Sequence, residues 1–170
     1  MSRLSISRRT LLISSSTAGA LAVVPALALS QGQAEGAPDA AILAAALAME
    51  EAAIATYEGI GDLQVLDPDT RDLGEQIIAH HQAHAAGLRE WLTRFGITPG
   101  ASPVPPLAPV RNAEEALELL VETEQTAMDT YLTHAASLHY PGILSDAVSI
   151  LVDEVKHHTV LSSRLGTLTA

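Results

Sequence analysis

Six side chains of types that commonly bind metal ions occur in the middle of four apolar segments of this chain. They are two glutamates, two histidines three residues apart, and a Glu and a His three residues apart: Glu50, Glu124, His81, His84, Glu154 and His157. Burying an unpaired carboxylate costs several kcal/mol, and no Lys or Arg lies near the middle of these apolar stripes. The pattern therefore predicts a buried cation, and three Glu with three His form a donor set suited to metal ions.

The chain contains two related halves. Glu50 and Tyr57 recur 74 residues later as Glu124 and Tyr131, in the shared pattern Glu-x-x-Ala-x-x-x-Tyr. His84 recurs 73 residues later as His157, and under that offset His81 corresponds to Glu154. An internal repeat of this kind predicts two similar structural units that pack together.

Each half consists of two segments with helical periodicity and recognisable start signals. We expect helices from about Asp39 to Gly61, from Asp67 to about Phe95, from Asn112 onward with Glu115 in a capping box, and from just after Pro141-Gly142 to about Leu165. Apolar residues make up 48% of the chain and aromatic residues only 3%, and no useful strand pattern appears. The predicted fold class is all-α.

The connections between the helices indicate the topology. Helices 1 and 2 are joined by a few residues, as are helices 3 and 4, so each pair is expected to form an antiparallel hairpin. The connection Gly96–Val110 is rich in proline and reaches roughly 45 Å when extended, whereas helix 2 is about 40 Å long. It is therefore long enough to cross the bundle, although a flexible linker at one end is the alternative. Counting from the two turns brings all six side chains within roughly one helical turn of a common level.

These motifs resemble those of the ferritin-like superfamily. A Glu on each of two helices, with Glu-x-x-His on each of the other two, is the ligand set of ferritin-like dimetal carboxylate proteins. The repeated Glu-x-x-Ala-x-x-x-Tyr is similar to helices of bacterioferritin and rubrerythrin, and the likeness extends from about Asp39 to the end of helix 4. The resemblance implies a ferritin-like four-helix bundle, with two hairpins related by an internal pseudo-two-fold axis and a long crossover between helices 2 and 3.

The resemblance also assigns roles to individual residues. It implies that the metal ligands include Glu50, Glu124, Glu154, His84 and His157. Three further residues are expected beside the ligands rather than on the metal: Tyr57 and Tyr131, whose hydroxyls need partners in the core, and Asp153, which would orient a ligand histidine. His80 and His158 point about a hundred degrees away from the ligand positions and are expected at a helix interface or the surface.

One ligand position departs from the family pattern, because His81 stands where the helix-2 motif has Glu. A carboxylate can bridge two metals a few ångströms apart, and an imidazole cannot bridge them in that way. His81 could bind one metal terminally, which leaves Glu154 as the single bridge. Alternatively, the site holds one metal only or is degenerate.

The expected function is that of a metal protein with a site in the bundle core. The site would hold Fe or Mn, two ions in the first interpretation and one in the second, with Zn not excluded. It would react with oxygen, peroxide or Fe²⁺. The alternative function is a non-catalytic ferritin-like stress or scaffold protein of the cell envelope, whose site is degenerate or binds Zn²⁺ passively.

The first thirty residues are typical of an export signal. Arg8 and Arg9 precede a moderately apolar stretch that ends in the small-x-small sequence Ala26-Leu27-Ala28, and Ser7 to Leu12 resembles the twin-arginine signal. We expect a cleavable signal over 1–28, a linker over 29–38 and the bundle over 39–168. An ordinary secretory signal is the alternative. A permanent membrane anchor is disfavoured because serine, glycine and proline interrupt the apolar stretch.

Composition restricts the partners. The expected partners are metal ions and the export machinery, and the expected location is the periplasm or another extracytoplasmic part of the cell envelope. A net charge of −11 argues against a nucleic-acid partner. The absence of cysteine excludes disulfides and thiolate metal sites. The sequence leaves homo-oligomer formation open.

Overall fold

The computed structural model describes residues 37–104 and 106–169, and these form four helices and no strand. The helices are α1 (Ala37–Leu63), α2 (Pro68–Arg94), α3 (Ala113–Ala135) and α4 (Pro141–Leu168). The predicted export signal over 1–28 lies outside the described residues, as does most of the predicted linker. Ala37 and Pro38, which the sequence analysis placed in that linker, are the first residues of α1, since proline is tolerated in the first turn of a helix.

The four helices form a bundle of two hairpins. α1 packs along α2 and α3 packs along α4, while α1 also contacts α3 and α2 contacts α4. The turns between the paired helices are short, so the paired helices are antiparallel. The predicted all-α arrangement of two hairpins is therefore confirmed.

Local signals in the sequence determine where the helices begin and end. The Asp67 side chain accepts a hydrogen bond from the Thr70 backbone N–H at 3.0 Å and so caps α2, with Pro68 as its first residue. At the other end of α2, Gly96 adopts a positive φ of 72°. That backbone conformation lets the Ile97 N–H reach the carbonyl of Leu92 at 2.9 Å, the pattern that closes a helix C-terminus.

The proline-rich connection between α2 and α3 runs along α1 across the bundle. It starts at Ile97, which is buried in the core at one end of the bundle. Midway, the Ser102 backbone N–H donates to Glu51 at 3.2 Å. Further on, Leu107 packs against Gly59 and belongs to the core at the opposite end. The predicted crossover is confirmed, and the alternative of a flexible linker at one end is wrong.

Two apolar clusters make up the core and leave a polar layer between them. One cluster contains Leu43, Leu47, Leu88, Leu92, Ile143 and Ile150. The other contains Ile60, Ile77, Leu117, Leu120 and Leu161. Residues related by the repeat, such as Leu43 and Leu117 or Leu88 and Leu161, lie in opposite clusters. The pseudo-two-fold axis therefore passes through the polar layer.

Among the described residues, one helix is long and apolar enough by length and composition to cross a membrane. It is the segment Pro38–Leu63 of α1, with a mean hydropathy of 1.4. In the structure this helix packs against both α2 and α3 and carries the fully buried Glu50. These features are those of a core helix in a bundle.

Candidate metal centre

All six predicted ligand residues meet in the polar layer between the two apolar clusters. α1 supplies Glu50, α2 supplies His81 and His84, α3 supplies Glu124, and α4 supplies Glu154 and His157. The three carboxylates and His81 have no exposed surface, while His157 is 4% exposed and His84 is 9% exposed. Each lies on the helix face that also carries buried leucine or isoleucine, because residues three or four apart share a face.

The ligand atoms form two groups, in each of which all the atoms lie within 4.8 Å of one another. One group contains Glu50, His81, His84 and Glu154, and the other contains His81, Glu124, Glu154 and His157. Glu154 and His81 belong to both groups. The centre therefore has two halves that share one carboxylate and one imidazole.

His81 lies between the glutamates of α1 and α3. Its Nδ1 donates to Glu50 Oε2 at 2.7 Å and its Nε2 donates to Glu124 Oε1 at 3.2 Å. Burial by itself would lower the pKa of His81, but the carboxylates of Glu124 and Glu50 outweigh burial and raise that pKa to about 10. In the metal-free protein His81 is thus a buried imidazolium between two carboxylates.

The Glu154 carboxylate lies between the other two histidines without hydrogen bonds. Its Oε1 is 3.1 Å from His84 Nδ1 and its Oε2 is 3.5 Å from His157 Nδ1. Neither pair has the alignment of a hydrogen bond, so both Glu154 oxygens and His84 Nδ1 are buried without a partner among the described residues. Buried polar atoms are usually satisfied, so three such atoms without a partner fit a site for bound cations.

Ion pairs between histidines and glutamates set the protonation states of the remaining ligands. His157 Nδ1 donates to Glu124 Oε2 at 3.2 Å. Burial opposes protonation, but Glu124 and Glu154 raise the pKa of His157. Burial would raise the pKa of Glu124 and Glu50, yet the neighbouring histidines hold both carboxyl pKa values below their usual range. The carboxylates are therefore ionised and available as ligands at neutral pH.

Two tyrosines anchor two of the carboxylates in a reciprocal manner. Tyr57 on α1 donates its hydroxyl to Glu124 at 2.5 Å, and Tyr131 on α3 donates to Glu50 at 2.6 Å. Burial, followed by the adjacent carboxylate charge, raises the pKa of both tyrosines, so each remains a neutral donor. The sequence analysis expected both residues beside the ligands, and the structure places them there.

Comparison with known proteins identifies the family. A family model for the ferritin-like domain matches residues 38–167. The chain belongs to the ferritin-like family. No protein with curated function matches its sequence.

Solved structures share the fold of this ferritin-like domain. A conserved hypothetical protein from Mycobacterium tuberculosis has a TM-score of 0.71 at 21% identity, with 77% of this chain and 92% of that chain covered. A ferritin-like, diiron-carboxylate protein from Bacillus anthracis has a TM-score of 0.66 at 23% identity, covering 74% and 94%. A two-domain protein from Anabaena variabilis, with DJ-1/ThiJ/PfpI-like and ferritin-like domains, has a TM-score of 0.70 at 22% identity. The match covers 81% of this chain and 39% of that chain. At these identities the likeness establishes the fold alone.

Asp153 of this ferritin-like domain faces a histidine of the opposite hairpin. Its Oδ2 is 3.6 Å from His84 Nε2, while its Oδ1 accepts a hydrogen bond from Lys156 at 2.8 Å. The sequence analysis expected Asp153 to orient a ligand histidine, and this geometry puts it next to His84, on the ring edge opposite to Nδ1.

His80 lies exposed at the interface between α2 and α4, as predicted, and there it also contacts a predicted ligand. Its ring is exposed on one side but stacks on His157, with the ring centroids 5.1 Å apart. His157 Nε2 donates to His80 Nδ1 at 2.8 Å. The repeat held the missing signal, because His80 and Asp153 are separated by the same 73 residues that relate His84 to His157.

Proposed function

We propose that this ferritin-like domain binds two divalent metal ions in its core and uses them as a redox centre for oxygen, peroxide or Fe²⁺. One observation carries the proposal. Both oxygens of the Glu154 carboxylate are fully buried without hydrogen bonds, and each faces a different histidine, His84 on one side and His157 on the other. A carboxylate in this position suits a bridge between two cations.

The two groups of ligand atoms would divide the metals between them. Glu50 and His84 would hold one ion, Glu124 and His157 would hold the other, and Glu154 would contact both. His81 lies in both groups and would give a nitrogen to one ion as a terminal ligand. Carboxylate and imidazole donors suit iron, manganese and zinc, and we propose iron or manganese as the resident metal.

The chain's own residues would prepare the site for reaction. The metal pair, when bound, would supply redox chemistry and a Lewis acid. Tyr57 and Tyr131 keep the Glu124 and Glu50 carboxylates in place through their hydroxyl hydrogens, and the apolar clusters on both sides leave the three carboxylates without exposed surface. Burial of these groups strengthens the electrostatic interactions between them.

Metal stoichiometry tests the binding part of this proposal. The purified protein should take up two equivalents of Fe²⁺ or Mn²⁺ under anaerobic conditions, measured by elemental analysis after desalting. The isosteric Glu154→Gln variant should lose at least one equivalent, because an amide binds cations more weakly than a carboxylate. The matched control Glu122→Gln, at an exposed position of α3, should retain both. Binding that is absent in the parent protein, or equal in the parent and Glu154→Gln, would refute the proposal.

A second candidate function has its own supporting observation. The His81 imidazolium already pairs with the Glu50 and Glu124 carboxylates at 2.7 and 3.2 Å, so the core has a favourable charge arrangement without metal. This favours a non-catalytic envelope protein that binds Zn²⁺ passively or not at all. Adding Fe²⁺ in air separates the two functions, since a redox site gives a ferric absorbance faster than buffer and a passive scaffold does not.

We also propose that the protein works outside the cytoplasm, in the periplasm or cell envelope, after twin-arginine export. The support is the arginine pair, Arg8 and Arg9, before an apolar stretch. Replacing both by lysine keeps the charge. It should stop export through the twin-arginine route, whereas an ordinary secretory signal should tolerate the change. Arg3→Lys is the control, and cell fractionation is the measurement.

A further inference from the structure

A cavity of about 250 Å³ lies in the bundle between the metal centre and one end of the helices. All four helices contribute to its walls. Its inner end is formed by His84 and Tyr131, and its far end includes Trp91 and Ile143. His84 has a ring nitrogen without a hydrogen bond, and we propose it as a metal ligand. The cavity therefore ends at the proposed metal centre.

The cavity opens to solvent between α2 and α4. Four of its lining residues are exposed: Ala83 and Gly87 on α2, and Asp146 and Ser149 on α4. The lining residues contributed by α1 and α3 are buried or half-buried. Small side chains on α2 keep this entrance wide, and a Cβ placed on Gly87 would meet no atom within 4 Å.

The repeat relates this cavity to a second one of about 320 Å³ in the other half of the bundle. Three lining positions of the cavity at His84 have bulkier counterparts in that half. Gly87 corresponds to Val160, Ala46 to Leu120 and His134 to Ile60, and all three bulky residues pack in the opposite apolar cluster. The two cavities differ in chemistry, because four charged residues line the second one, Glu58, Asp62, Arg71 and Glu75, whereas Asp146 is the only Asp, Glu, Lys or Arg that lines the cavity at His84.

The chemistry of the walls selects the ligand. No Lys or Arg lines the cavity, and the Glu50 and Glu154 carboxylates balance the charge of His84 at its inner end, so an anion would find no free cationic partner. The Asp146 carboxylate accepts a hydrogen bond from Trp91 Nε1 at 2.8 Å, and the Tyr131 hydroxyl is bonded to Glu50. With these polar groups engaged, the interior walls are mainly leucine, isoleucine, alanine and the indole ring. Such walls favour an uncharged and mainly apolar molecule.

We propose that this cavity binds an uncharged, mainly apolar small molecule and brings it to the metal centre at His84. Its size is that of one aromatic ring with a short substituent, since a cavity of roughly 150 Å³ holds benzene. This inference builds on the proposed redox function, because it identifies a class of molecule, besides oxygen or peroxide, that would reach the metals. The binding step itself does not depend on metal.

Binding of 4-fluorotoluene tests the cavity directly. The bound molecule should give a shifted or broadened ¹⁹F NMR signal in the metal-free protein, and unlabelled toluene should displace it. Gly87→Leu fills the entrance and should weaken binding at least tenfold. Gly166→Leu makes the same change on α4 at an exposed glycine where a Cβ also meets no atom within 4 Å, and it should leave binding unchanged. Ala83→Leu provides a second obstruction from an exposed position.

Loading with Co²⁺ as a spectroscopic probe tests whether the ligand reaches the metals. In the parent protein, 4-fluorotoluene should change the visible Co²⁺ absorption, and in Gly87→Leu it should not, although Co²⁺ uptake is the same in both. Binding that is equal in the parent, Gly87→Leu and Ala83→Leu would overturn the proposal. An unchanged Co²⁺ spectrum at saturating ligand would overturn its second half. If the protein took up no metal but still bound 4-fluorotoluene, and Gly87→Leu weakened that binding, the proposed redox function would be refuted. The cavity proposal would remain supported.

Discussion

His81 places a positive charge at the centre of the site where the family pattern has a negative one. In the metal-free protein its two ring nitrogens donate to Glu50 and Glu124, so the three carboxylates of the core have a cation of the protein's own. The family's glutamate would remove this cation and add a fourth carboxylate, with only His84 and His157 left to balance the charge. We infer that His81 stabilises the metal-free state and leaves Glu154 as the single carboxylate available as a bridge.

Replacing His81 by glutamate should therefore affect the metal-free and metal-loaded states in opposite directions. His81→Glu removes a buried cation, and breaking a buried ion pair costs about 3 kcal/mol or more. The metal-free protein should unfold at a lower temperature than the parent. With Mn²⁺ or Fe²⁺ its melting temperature should rise by more than that of the parent, because a second carboxylate bridge becomes available. Differential scanning calorimetry measures both.

The matched control is His158→Glu, which makes the same change at a half-buried residue outside both groups of ligand atoms. A metal-free melting temperature that falls equally in the two variants would show that His81 has no special role in charge balance.

His80 and Asp153 play equivalent parts in the two halves of the site. His80 accepts a hydrogen bond from His157 on α4, and Asp153 lies 3.6 Å from His84 on α2. Each therefore contacts the histidine of the opposite hairpin at the nitrogen that faces away from the ligands. A partner at this nitrogen fixes the ring and directs Nδ1 towards the metal.

Removing these two residues should weaken two different metal positions. His80→Ala should lower the affinity of one position by about 10-fold or more and Asp153→Ala that of the other, as is typical for partners of ligand histidines. Titration with Co²⁺, followed by visible absorption, resolves the two steps. His80→Asp should restore the lost step because a carboxylate also accepts from His157 Nε2, whereas His158→Ala should have no effect. Equal weakening of both steps by His80→Ala would contradict a role specific to His157.

At the scale of elements, one buried acid ties the start of α1 to the start of α4. Asp39 is 1% exposed and accepts backbone hydrogen bonds from His139 at 3.0 Å and Tyr140 at 2.9 Å. No side-chain cap of α4 comes from its own N-cap residue, Tyr140. Burial would raise the pKa of Asp39, but hydrogen bonds from His139 and Tyr140 outweigh it and hold that pKa below its usual value.

Asp39→Ala should destabilise the bundle without changing metal binding. It leaves the N–H groups of His139 and Tyr140 without their acceptor, which costs about 1–3 kcal/mol. Urea unfolding monitored by circular dichroism measures the loss. Asp39→Asn keeps one acceptor oxygen and should lose less, and Asp62→Ala, at an exposed position near the other end of α1, should lose little. Equal stability of Asp39→Ala and the parent would show that this contact does not stabilise the bundle.

The sequence predicted the helices and the six central side chains because both follow from periodicity. Glu50 and Glu124 interrupt apolar stripes at matching positions, and Asp67 and Gly96 are strong signals of helix ends. The path of the crossover was less accessible. Proline content gives its reach, but the contacts of Ser102 with Glu51 and of Leu107 with Gly59 show that it lies along α1.

The contact of His80 with His157 could not be predicted from the helical periodicity. Periodicity gives the direction in which a side chain points from its own helix, whereas this contact depends on the distance between α2 and α4 and on the rotamers of both rings. The cavity could not be predicted from the sequence for the same reason. Gly87 and Ala46 appear in the sequence as two small residues, and only the packing of four helices turns them into a space.

On the scale of the whole molecule, the core exchanges protons for metal. The pKa of His81 is raised to about 10 and that of His84 to about 9 by their carboxylate neighbours, against an ordinary 6.5. Both histidines are therefore protonated in the metal-free protein at neutral pH, but a histidine ligand must be deprotonated at the nitrogen that binds. Protons and metal ions compete for the same three carboxylates.

The sign of the resulting pH dependence follows from linkage. A pKa that is higher in the folded state stabilises the fold fully below pH 6.5, and this stability is lost as the pH rises towards the folded values of about 9 and 10. The metal-free melting temperature should thus fall between pH 6.5 and 9. Metal affinity should increase over the same range, so the rise in melting temperature caused by a fixed concentration of Mn²⁺ should grow, as mass action requires.

Scanning calorimetry with EDTA or Mn²⁺ at several pH values measures both trends, and titration calorimetry in buffers of different ionisation enthalpy counts the protons released. His158→Ala should keep the slope of the metal-free curve, because this residue belongs to neither group of ligand atoms. His84→Ala should flatten it, since one of the raised histidine pKa values is removed. A metal-dependent rise that is constant between pH 6.5 and 9, with no proton release, would mean that these histidines are already neutral before metal binds. The carboxylates would then be without a cation of the protein's own, and the charge balance inferred for the metal-free core would be wrong.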